Sequence, residues 1–91
     1  MKTVRLRITG HVQGIGFRAW AEGEAVARGV RGWVRNRSDG SVEVLAAGPE
    51  EVVETYIAAL WEGPPAARID GIATEAASDP GGIGFRTLPT E

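Results

Sequence analysis

Val4, Leu6 and Ile8 alternate with Arg5 and Arg7, a two-residue period that sends one set of side chains to a core and the other to water. Residues 2–9 therefore predict a strand. Glycines at 10, 14 and 16 break the pattern, and an Ala-rich run follows. This predicts a loop over 10–18, a helix over about 18–28 and a stop at Gly29. That helix is the weakest element, because Gly23 lies inside it and Glu24 and Arg28 fall near the face formed by Phe17, Ala21 and Ala25. Two β-rich runs, 30–37 and 41–47, flank Ser38-Asp39-Gly40 and predict an antiparallel hairpin.

Gly48-Pro49 opens a second helix, with Glu50, Glu51 and Glu54 near its positive end. Val52, Val53, Tyr56, Ile57, Ala59 and Leu60 share one face of it. Gly63-Pro64-Pro65 ends the helix, residues 68–76 read as a weaker strand, 78–82 as a loop and 83–88 as a short last strand. The order β-α-β-β-α-β, with a short extra strand, predicts the α+β class within one domain, 1–91. The expected architecture is a ferredoxin-like sandwich, an antiparallel four- to five-stranded sheet with two helices on one face. The other sheet face is left free.

Composition narrows the function. With no Cys there is no disulfide framework, no thiolate zinc site and no cysteine nucleophile. No apolar run has the length of a membrane span, and the first residues lack a signal-peptide core, so a cytoplasmic protein without a membrane partner is expected. The overall charge is −2, unevenly spread. Residues 1–45 carry eight basic and four acidic side chains and residues 46–91 two and eight, so an anionic ligand belongs to the first half.

The loop feeding the first helix carries the most chemistry. A loop that enters a helix N-terminus aims unpaired amides at an anion, and Gly14 and Gly16 let those amides curl inward without Cβ clashes. Arg18 adds a planar fork able to grip a phosphate. The same glycines also serve as turn punctuation, and a single Arg is often just a surface charge, so the residues alone leave both readings open. Gly14-Ile15-Gly16-Phe17-Arg18-Ala19 matches the dinucleotide pattern G-x-G-x-x-[GA] in letters only, because the hairpin that follows is antiparallel and the chain too short.

On the second strand, alternation puts Val34 and Asn36 on one face and Trp33, Arg35 and Arg37 on the other. If Val34 is core, Asn36 sits toward the helix-covered side, where it could serve a site or bond its own backbone beside the turn. His11 reads as a solvated loop histidine, and Trp20, Trp33 and Trp61 as packing residues. The acids are scattered and form no metal cluster. An enzyme with this inventory would work by positioning and electrostatics on an already reactive substrate.

Gly10-His11-Val12-Gln13-Gly14-Ile15-Gly16-Phe17-Arg18 resembles the first signature of the acylphosphatase family, G-x-V-Q-G-V-x-F-R, with Ile15 a conservative departure. Gly32-Trp33-Val34-Arg35-Asn36, followed by Asp39-Gly40-Ser41-Val42-Glu43, resembles its second, G-W-V-x-N and D-G-x-V-E. Arg28 departs from the family's usual leucine before Gly29. The resemblance implies a metal-free, cofactor-free hydrolase that splits acyl phosphates into carboxylate and inorganic phosphate, the latter also an inhibitor. By motif, Arg18 would bind the phosphate and Asn36 would orient the attacking water. The amides of Gln13, Gly14, Ile15, Gly16, Phe17 and Arg18 would form the cradle. A monomer is expected. The alternative is a non-catalytic module that binds acyl or carbamoyl phosphate. RNA binding by the free sheet face is disfavoured, since the first and third strands carry no aromatic side chains.

Overall fold

The computed structural model describes residues 1–91. The elements are β1 (Lys2–His11), α1 (Phe17–Arg28), β2 (Arg31–Asn36), β3 (Val42–Gly48), α2 (Glu50–Glu62), β4 (Arg68–Ala76) and β5 (Phe85–Thr87). They form one five-stranded sheet in the order β4-β1-β3-β2-β5. The ferredoxin-like α+β fold is present, and β1 to β4 pair antiparallel as expected. The fifth strand corrects the fully antiparallel expectation, because β5 lies parallel to β2. The chain leaves β4 at the end of the sheet where β2 begins, so crossing to the opposite edge there gives β5 the direction of β2.

Alternation on β1 behaves as the sequence requires. Val4, Leu6 and Ile8 are buried while Arg5 and Arg7 are exposed. They join Val34, Val42, Val44 and Ala46 under Phe17, Ala21 and Ala25 of α1 and Val53, Tyr56 and Leu60 of α2, making one core between sheet and helices. Burying such side chains stabilises by roughly 1.5–3 kcal/mol each. Tyr56 is enclosed with its hydroxyl donating to the Ala21 carbonyl at 2.9 Å, which ties α2 to α1, and burial pushes its phenol pKa up.

The first strand runs two residues beyond the expected boundary, and Gly10 belongs to it. A bulge between Thr9 and Gly10 bends the strand, and Gly10 takes φ +126°, with the Arg68 carbonyl 2.1 Å from where a Cβ would stand. Gly10 is thus a packing glycine of the sheet and lies outside the five-residue loop 12–16. The weak first helix forms because its flaws are exposed or paired. Gly23 faces water, and Arg28 bonds Glu24 one turn back at 2.9 Å beside the buried face.

Trp20 packs partly buried against Phe17, and Trp33 lies on the free sheet face beneath the Arg35 guanidinium, 4.8 Å from its ring centre. Trp61 corrects the packing expectation, being 49% exposed on the outer side of α2. His11 is exposed at the end of β1, paired in register with Arg68. No helix is long and apolar enough to cross a membrane.

Candidate active site

Five residues connect β1 to α1, and two of them set the loop's curvature. Gly14 (φ +75°) and Gly16 (φ +77°) are both left-handed, and a Cβ at either would meet open space, so the turn itself demands glycine. Gly16 is the N-cap of α1 and no side chain caps that end. The amides of residues 13–19 donate no hydrogen bond within the protein, so seven donors converge at the positive end of a twelve-residue helix. Such an arrangement attracts an anion.

A concave cavity of about 400 Å³ opens on this loop. Val12, Gln13, Gly14, Gly16, Phe17 and Arg18 line it from the loop and the first turn of α1, Ala19 and Glu22 from further along the helix, Asn36 from β2 and Thr87 from β5. The structure therefore brings Arg18 and Asn36, 18 positions apart in the chain, to one cavity. Val34 is fully buried, and the two-residue period carries Asn36 to the same helix-covered side. Asn36 Oδ1 is buried with no hydrogen-bond partner, so it does not bond its own backbone beside the turn. An unpaired buried acceptor costs roughly 1–3 kcal/mol, and its natural partner is a donor inside the cavity.

Arg18 is half-buried. Its Nη1 reaches the Leu88 carbonyl at 3.4 Å, and it forms no ion pair, whereas seven of the other eight arginines do. Ile15 packs partly against the core, and Phe17 anchors the helix start in it, so the loop is fixed from below.

Gln13 does more than its backbone position suggests. Its side-chain Nε2 donates to the carbonyls of both Arg37 and Ser41 at 2.8 Å, lashing the loop to the β2–β3 turn. That turn is organised by Asp39, which accepts from the Ser41 amide (2.9 Å) and hydroxyl (2.6 Å); those bonds hold the Asp39 pKa below its ordinary value. Sequence reasoning missed Glu22, Thr87 and Leu88. The four-residue spacing of Arg18 and Glu22 was the available signal for the first. Nothing local marked the other two, which reach the site only because β5 lies beside β2.

The family model of acylphosphatase matches residues 4–87. An acylphosphatase of Azoarcus sp. is 52% identical over 85 residues, 93% of this chain and 87% of that protein. One from Rhodospirillum rubrum is 44% identical over 99% of both chains. The crystal structure of acylphosphatase from Bacillus subtilis superposes with a TM-score of 0.93 at 37% identity, covering 97% of this chain and 99% of that one.

Proposed function

The chain belongs to the acylphosphatase family and hydrolyses acyl phosphates to carboxylate and inorganic phosphate, and on that premise we propose which of its residues carry the reaction. The amides of Gln13 to Arg18 hold the phosphoryl oxygens, and the Arg18 guanidinium grips the same group as a bidentate fork. Asn36 accepts a hydrogen bond from the attacking water through Oδ1, turning a water lone pair toward phosphorus. The observation supporting this most directly is the unpaired, buried Asn36 Oδ1 in the same cavity as seven unpaired amides and Arg18.

The water oxygen forms the new P–O bond in line with the departing acyl oxygen, which leaves as a carboxylate. A carboxylate is a good leaving group, so no acid is needed to protonate it. The phosphoryl oxygens take up the water's proton. Charge on the three equatorial oxygens of a loose transition state is met by the loop amides and Arg18. These donors are fixed before reaction, the loop by Gln13 and its two glycines, so little reorganisation is required. Carboxylates near a helix N-terminus would compete for this cradle, and the first turn of α1 holds none.

Titration with inorganic phosphate, followed by amide shifts, tests the assignment. The largest changes are expected at residues 13–19 and should vanish in Arg18→Ala. Largest changes elsewhere would overturn it.

A further inference from the structure

The cavity's one acid is Glu22, four positions after Arg18 on α1. An Arg and a Glu at that spacing lie on one helix face, close enough to pair, and on this same helix Glu24 and Arg28 do pair at 2.9 Å. Arg18 and Glu22 do not pair. The Glu22 carboxylate instead accepts a hydrogen bond from the Thr87 hydroxyl, while the Arg18 guanidinium turns to the carbonyl of the next residue, Leu88, at 3.4 Å. Two consecutive residues at the end of β5 thus take one charge each.

We propose that Thr87 is a positioning residue that holds Glu22 away from Arg18 and so keeps the guanidinium available to the substrate phosphate. This rests on Arg18 being the phosphate ligand, as proposed above. A carboxylate bonded to Arg18 would occupy the fork that a phosphate needs and cancel the only cationic side chain lining the cavity. Thr87 prevents this with a neutral donor, which satisfies the carboxylate without adding a second cation to it. The backbone of β5 fixes the hydroxyl, since β5 is held parallel to β2 and the Leu88 amide continues the pairing onto the Val34 carbonyl at 2.8 Å.

The test is a double-mutant cycle read as affinity for inorganic phosphate and KM for benzoyl phosphate. Thr87→Val keeps the shape and the strand preference but removes the donor, which releases Glu22 toward Arg18. Phosphate affinity is expected to fall roughly two- to fivefold, the range of a solvent-accessible to partly shielded pair. Adding Glu22→Gln removes the competing charge, so the double variant is expected to recover the wild-type affinity, and the loss in Thr87→Val is expected to shrink with added salt. Thr87→Ser, which keeps the hydroxyl, should bind as wild type does.

An unchanged Thr87→Val, or a loss that persists equally in the double variant, would overturn the proposal. Arg18→Ala, measured in parallel, separates this from failure of the underlying reading. If phosphate binds Arg18→Ala as tightly as wild type, the phosphate ligand has been misassigned and the role of Thr87 falls with it.

Discussion

The Gln13 side-chain amide donates to the main-chain carbonyl of Ser41 at 2.8 Å, joining residues 28 positions apart and fastening the anion-binding loop to the turn that follows Asn36. The two halves of the site, loop and second strand, are thereby held in register. Gln13→Ala leaves the Ser41 and Arg37 carbonyls without this donor, at a cost of about 1 kcal/mol in stability. Loosening the loop should lower kcat/KM for an acyl phosphate by about tenfold or more, because small misplacements of prearranged donors are expensive in rate. Thermal unfolding and steady-state kinetics on the same sample check both effects. A loss of stability without a loss of rate would separate the strap from catalysis.

Asn36→Ala removes the acceptor proposed to orient water. The expected result is a fall in kcat of roughly 10²–10³ with KM little changed, as for removal of one preorganised group. An effect confined to KM would mean that Asn36 binds substrate and does not position the nucleophile.

Two glycines should respond in opposite directions to alanine. At Gly32, with φ +141°, a Cβ would stand 1.8 Å from the Leu45 carbonyl of the neighbouring strand, so Gly32→Ala should cost at least about 2 kcal/mol. Gly23 lies within α1, and the space a Cβ would take there has no neighbouring atom within 4 Å, so Gly23→Ala should stabilise by about 0.5–1 kcal/mol. For a chain of this length each kcal/mol moves Tm by roughly 4–8 °C, so calorimetry resolves both.

Strong acid should release the segment before β5. Asp79 bonds the Arg31 guanidinium at 2.7 and 3.0 Å and accepts from the Gly81 amide, and these bonds, the arginine's foremost, pull its pKa from an ordinary 3.8 to about 2. The folded value is the lower one, so the stabilisation is complete above about pH 4 and disappears as pH falls through about 2. Carboxyl titration by NMR should place Asp79 near 2, and Arg31→Ala should return it toward its ordinary value. A value near 4 in the wild-type protein would contradict the ion pair.

Much of the fold was legible because local signals agree with it. The β1 alternation, the Asp39-Gly40 turn and the apolar face of α2 each name their element, and together they fix the order of strands and helices. The parallel placement of β5 was not legible, since three paired residues leave almost no pattern and direction depends on where a long connection emerges. Gly10 read as a loop glycine because a bulge inside a strand looks the same in sequence as its end. Arg18, Asn36 and the cradle glycines stood out through the two signatures and the alternation of β2. Glu22 and Thr87 did not, because their meeting depends on the register of the last strand against the first helix.

Turnover of benzoyl phosphate in EDTA by wild type and Arg18→Ala decides whether Arg18 holds the phosphate of the substrate, with p-nitrophenyl phosphate as a phosphomonoester control. Wild type is expected to hydrolyse the acyl phosphate alone, and a folded Arg18→Ala to lose at least about 100-fold in kcat/KM. A folded Arg18→Ala that turns over benzoyl phosphate at the wild-type rate would mean that Arg18 does not hold the substrate phosphate.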